Sequence, residues 1–118
     1  MKKILIVDDE EVIRNMLSRA VSKSGHMPYI ASNGAEAIEL FRETPEIDIA
    51  ILDLKMPGIS GQEVATLLKN LRPNIKIIIS SAYVDEQVEK ELNEMGIKHI
   101  LHKPYPMTEL QEIIDTTL

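Results

Sequence analysis

Five short runs of β-branched and aliphatic residues recur along this chain, with helically spaced segments between them. No other feature restricts the fold as strongly. Lys3 to Val7, Met27 to Ala31, Ile47 to Leu52, Ile75 to Ile79 and Ile97 to Leu101 are too short for helices and read as strands. The first contains Ile4-Leu5-Ile6-Val7 without a polar break, as suits a strand covered on both faces. Val12, Ile13, Met16, Leu17, Ala20 and Val21 then recur at helical intervals, and Gly25 suits the end of that helix. A second helix is opened by Asn33-Gly34, carries Ala37, Ile38, Leu40 and Phe41, and stops before Pro45. Val64, Ala65, Leu67, Leu68 and Leu71 mark a third, closed by Arg72-Pro73. A fourth bears only a thin stripe, Val84, Val88, Leu92 and Met95, among acids, and ends at Gly96. Met107 to Leu118 reads as a fifth.

Strands that alternate with helices predict an α/β fold, a parallel sheet covered on both faces. Right-handed crossovers leave few strand orders open. At 118 residues the chain is sized for one domain. It contains no cysteine, which excludes disulfides, thiolate metal sites and cysteine nucleophiles. Nineteen acids against thirteen bases give a net charge of −6, which argues against nucleic acid as a partner. One Phe, three Tyr and no Trp leave little for base stacking. No apolar run is long enough to span a membrane, and the N-terminus reaches Asp8 too early for a signal peptide. A cytoplasmic protein is therefore expected.

In open parallel sheets, sites form where strands deliver their carboxyl ends. Here strand one ends in Asp8-Asp9, strand three in Asp53, strand four in Ser80-Ser81, and strand five in Lys103. Taken singly, each has an ordinary explanation: a solvated turn, a helix cap, a surface lysine. Together they conflict, because converging carboxylates repel and raise one another's pKa. A hard divalent cation held by a few carboxylates and water resolves that conflict, and magnesium is held in this way. Lys103 adds a compact positive charge for an anion that joins later.

These residues resemble the receiver domain of two-component response regulators over the whole chain, residues 1–118. The resemblance is carried by Ile4-Leu5-Ile6-Val7-Asp8-Asp9-Glu10, Leu52-Asp53-Leu54-Lys55-Met56-Pro57-Gly58, Ser81-Ala82-Tyr83 and Lys103-Pro104-Tyr105. Among stand-alone receivers the chain is most similar to those of sporulation phosphorelays, in its Met-Pro-Gly loop and Lys55. The resemblance implies a flavodoxin-like (βα)5 fold with strand order 2-1-3-4-5. It implies that Asp53 accepts a phosphoryl group, with Ser81 and Lys103 contacting phosphoryl oxygens. Asp9, Asp53 and the backbone carbonyl of Lys55 would ligate Mg2+, and Asp8 would act mostly through water. The donor would be a phosphohistidine on a sensor histidine kinase or a phosphotransfer protein, and the phosphorylated state would switch binding of a downstream effector. A cis peptide at Lys103-Pro104 is also implied.

The chain departs from the family in three places. Ile100 stands three residues before Lys103, where an aromatic is common, so a ring flip there is not expected to carry the signal. Pro106 replaces a helix-capping residue and is expected in the first turn of the last helix. Ser81 stands where Thr is commoner. Three rival readings compete with the receiver, and one of them, a flavodoxin-like cofactor carrier, lacks the Ser/Thr-rich phosphate loop it would need after strand one. A phosphatase that forms a phosphoaspartate wants a second Asp two residues after the first, where Lys55 stands. A receiver-like binding domain that takes no phosphate is opposed by the complete set Asp8, Asp9, Asp53, Ser81 and Lys103. The six methionines are expected to pack, the three histidines are not spaced as a ligand set, and Asp85, Glu86, Glu89, Glu91 and Glu94 suit a solvated or docking helix face.

Overall fold

A computed structural model describes residues 1–117. The strands are β1 (Lys3–Val7), β2 (Met27–Ala31), β3 (Ile49–Leu52), β4 (Lys76–Ser81) and β5 (His99–His102). The helices are α1 (Glu11–Lys23), α2 (Gly34–Glu43), α3 (Gly61–Leu71), α4 (Glu86–Glu94) and α5 (Met107–Thr117). All strands are parallel, in the order β2-β1-β3-β4-β5. This is the expected flavodoxin-like doubly wound sheet, whose order reverses between β1 and β3. Leu118, expected at the end of the last helix, lies outside the described residues.

The central strands are apolar on both sides because both sides are covered. In β1 and β3, alternate residues feed two separate cores. Leu5, Val7, Ala50 and Leu52 face α2 and α3, together with Phe41, Val64 and Leu68. Ile4, Ile6, Ile49 and Ile51 face α1 and α5, together with Leu17, Val21, Leu110 and Ile114. The register Val7↔Leu52↔Ile79 keeps the ends of β1, β3 and β4 level, so the residues after these strands emerge on one rim.

Several boundaries differ from those read in the sequence, and three of them have a plain local reason. Ile97 is expected from its apolar run to open β5, but its N–H bonds to the Leu92 carbonyl at 3.0 Å while Gly96 N–H bonds to Asn93 at 3.0 Å. With Gly96 at φ +83°, this is a Schellman closure beyond the end of α4, so Ile97 is held against that helix and pairing starts at His99. β3 starts at Ile49 rather than Ile47, since the Asp48 carboxylate accepts the Lys3 N–H at 2.8 Å and the Ile47 carbonyl accepts from Arg72. Pro106 precedes α5 instead of standing in its first turn, and its carbonyl accepts the Glu109 N–H at 3.0 Å. Among the methionines, Met56 is buried whereas Met1, Met16 and Met27 are exposed, so packing accounts for fewer of them than expected.

Candidate phosphoacceptor site

The rim at the carboxyl ends of the strands brings Asp8, Asp53, Ser81 and Lys103 together. Asp8 follows β1 directly and is 1% exposed. Its Oδ1 accepts the Glu10 N–H at 2.9 Å and its Oδ2 accepts Lys103 Nζ at 2.8 Å. Both oxygens are thus engaged. Arg14 donates to the Asp8 backbone carbonyl at 2.7 Å, fixing the chain as it turns into α1.

Asp53 follows β3 and is 6% exposed. Its backbone N–H bonds to the Val7 carbonyl at 3.0 Å, which locks it beside Asp8. Its Oδ1 accepts the Lys55 N–H at 3.3 Å, and Lys103 Nζ lies 3.6 Å from its Oδ2. Burial pushes the Asp53 carboxyl above the usual range; Lys103 opposes this, while Asp8 and Asp9 add to it. For Lys103, burial pulls the ammonium down, but the hydrogen bond to Asp8 and the charges of Asp53 and Asp8 leave it raised overall. It is therefore a charged ammonium wedged between two carboxylates.

Gly61 explains how Asp53 is held so close to α3. A Cβ there would lie 2.0 Å from the Asp53 carbonyl oxygen and 2.8 Å from the Leu54 Cα. Its N–H bonds to the Leu54 carbonyl at 3.0 Å. The first turn of α3 thus presses directly on the Asp53 backbone, and only glycine fits. In the sequence Gly61 reads as one more loop glycine, because the close approach is made by tertiary packing.

Ser81 ends β4, fully buried, and its hydroxyl donates to the Tyr83 carbonyl at 3.3 Å. Lys55 and Tyr83 flank the rim, with Lys55 Nζ 5.7 Å from the centre of the Tyr83 ring. The Lys103-Pro104 peptide is cis, as expected.

Asp9 is exposed, and it belongs to a cluster of carboxylates just after β1. Asp8, Asp9 and Glu10 each offer an oxygen within 4.8 Å of the others. Asp53 is not a member of that trio. Glu10, for which the sequence suggested no role, is. The donor set is made of hard oxygens, and a cation would offset the burial that chiefly raises the Asp53 pKa as well as the smaller repulsion from Asp8 and Asp9. The residues therefore fit a magnesium-class ion.

Comparison with known proteins agrees with this geometry. The family model of the response regulator receiver domain matches residues 4–115. Sporulation initiation phosphotransferase F of Bacillus subtilis is 34% identical over 114 residues, covering 96% of this chain and 90% of that protein. Regulatory protein AtoC of Escherichia coli is 30% identical over the full chain, but the chain spans only 25% of it. The response regulator TrrA of Thermotoga maritima, solved with Mg2+ and beryllofluoride, superposes with a TM-score of 0.88 at 36% identity, covering 100% of both chains. The chain belongs to the response regulator receiver family: it is a phosphoryl-accepting signalling domain of two-component systems.

Proposed function

We propose that Asp53 is the phosphoacceptor, served by Lys103 and Ser81, and that the donor is a phosphohistidine on a sensor histidine kinase or phosphotransfer protein in the cytoplasm. The observation that carries this reading is the Lys103 ammonium at 2.8 Å from Asp8 and 3.6 Å from Asp53. It marks where an anion bonded to Asp53 would find a cation already in place. Asp9, Asp53 and the Lys55 carbonyl would hold Mg2+, with Asp8 acting through water and Glu10 as a neighbour. When bound, the ion neutralises charge on the oxygens of the group in transfer.

The residues divide the rest of the work. A carboxylate oxygen of Asp53 forms a bond to phosphorus as the phosphorus–nitrogen bond of the phosphohistidine breaks, and the imidazole departs. Lys103 exchanges its contact with Asp8 for one with a phosphoryl oxygen. Ser81 turns its hydroxyl from the Tyr83 carbonyl, a long bond at 3.3 Å, to another phosphoryl oxygen. Positioning and charge neutralisation are what this transfer chiefly requires, and Lys103 and Ser81 would supply both. The switch then selects a downstream effector.

Incubation with acetyl phosphate and Mg2+ is expected to add one phosphoryl group by mass. Asp53→Ala is expected to take up none. An Asp53→Ala protein that still gained one group with wild-type stoichiometry would remove Asp53 from the reaction.

A further inference from the structure

Lys103 is held from two sides, and the second side lies outside the phosphoacceptor machinery. Its backbone N–H bonds to the Ser81 carbonyl at 2.8 Å. Among the described residues, the next such backbone bond along the chain is the turn from Glu109 to Pro106, so neither restrains residue 105. A side chain restrains it instead. The Tyr105 hydroxyl lies 2.8 Å from the hydroxyl of Ser80, and either can be the donor.

Ser80 occupies an unusual place for a hydroxyl. It is 1% exposed and shares the side of β4 with Ile78, toward the core that holds Ile4, Ile6, Ile51 and Leu101. A hydroxyl in such surroundings needs a partner. Tyr105 is the side chain that meets it. The ring itself is packed against the same core, and burial pushes its phenol above the usual range. Packing alone leaves it room, however, because a cavity of about 130 Å3 borders it on the α1 side, lined by Ile13, Met16, Leu17 and Met107. The hydroxyl pair is the specific, directional contact.

We infer that Tyr105 and Ser80 are positioning residues for phosphoryl binding: their hydrogen bond anchors the loop after β5 to the centre of the sheet and so fixes where Lys103 presents its ammonium. Both anchors of that loop lie on adjacent residues of one strand, Ser80 through its side chain and Ser81 through its carbonyl. Ser81 is also the hydroxyl assigned to the phosphoryl group, so β4 sets the distance between the two groups that must grip one anion. The inference rests on the phosphoacceptor role of Asp53.

The test uses Tyr105→Phe, which removes one oxygen, together with Ser80→Ala and the double variant. Affinity is measured for Mg2+ alone and for beryllofluoride at saturating Mg2+, by NMR titration, with urea stability in parallel. Tyr105→Phe is expected to weaken beryllofluoride binding about three- to tenfold, the usual range for one net hydrogen bond. Mg2+ affinity is expected to stay within about twofold, because the oxygens that would hold the ion are not on this loop. The double variant is expected to be no worse than either single variant, since each removes the same bond. Tyr105→Phe and Ser80→Ala both binding beryllofluoride like wild type would overturn the inference. So would parallel losses for Mg2+ and beryllofluoride in step with lost stability, which mark a merely structural role. If wild type itself fails to bind beryllofluoride, or Asp53→Asn binds it equally well, the phosphoacceptor reading fails instead.

Discussion

Asp53 carries a cost before any ligand arrives, because its carboxyl is buried beside Asp8 and within the field of Asp9. Its pKa is raised in the folded chain, so between the unfolded value and that higher value the native state binds more protons than the unfolded state. Stability therefore falls as pH rises through that window, and the penalty persists in full above it. In Mg2+-free buffer at pH 7, Asp53→Asn is expected to raise the urea midpoint with the slope unchanged, and its advantage should shrink as pH falls below the folded pKa. A lower midpoint than wild type at pH 7 would contradict this. Lys55 and Tyr83 make a second residue-scale prediction. Their cation–ring contact roofs one side of the rim, the Lys55 N–H is bonded to Asp53, and the Ser81 hydroxyl is bonded to the Tyr83 carbonyl. Neither side chain is an acid or amide able to orient an attacking water, and both can cover its approach. The phosphorylated form is accordingly expected to last minutes to hours. Lys55→Ala or Tyr83→Ala should speed loss of the phosphoryl group about tenfold, equivalent to about 1.4 kcal/mol of barrier. Unchanged decay in both variants under saturating Mg2+ would end the shielding idea.

At the scale of elements, β4 and α4 are the pair suited to transmit the change. Ser81 ends β4, and Asp85 caps α4 by accepting the Val88 N–H at 2.8 Å. Only the short stretch Ala82-Tyr83-Val84 lies between them. α4 buries a single side chain completely, Leu92, with Val84, Val88 and Met95 half-buried beside it. A helix held by so thin an apolar stripe shifts more readily than α3, which buries Val64, Ala65 and Leu68. α4 is also tied to α3 through Glu91, which accepts from Gln62 and from Gln87. Ile100 in β5 is packed against the core beneath α4 and has no ring to flip. Addition of beryllofluoride and Mg2+ is therefore expected to produce its largest amide shifts from Ser81 to Val88. Large shifts confined to β5, with none near Ser81, would refute that route.

For the whole molecule, the site lies where the sheet order reverses, and the two cores on opposite faces hold its rim rigid. Anything that binds only this assembled rim stabilises the entire fold by mass action. Mg2+ at one hundred times its dissociation constant is expected to add about 2.7 kcal/mol to unfolding, and chelation to remove it. Asp9→Asn should lose most of that increment while leaving metal-free stability nearly unchanged, since Asp9 is exposed. An equal Mg2+ increment in that variant would show that the ion is held elsewhere.

Period and punctuation in the sequence sufficed for the five strands, the five helices and the rim on which Asp8, Asp53, Ser81 and Lys103 meet, because strand ends in a parallel sheet emerge together. The strand order, the cis peptide and the acceptor role proposed for Asp53 came from resemblance to the receiver family rather than from pattern. Contacts between residues distant in the chain were left to the tertiary structure. Gly61 reads as a loop residue until α3 is packed on the Asp53 backbone, and Tyr105 and Ser80 show no relation until β4 and the loop after β5 are side by side. Ile97 caps the end of α4 rather than opening β5 because its N–H closes onto the Leu92 carbonyl, a bond that apolar periodicity does not record. Sequence patterns report the local balance of burial and backbone preference, whereas hydrogen bonds and close approaches across the fold depend on distances that exist only once the sheet has formed.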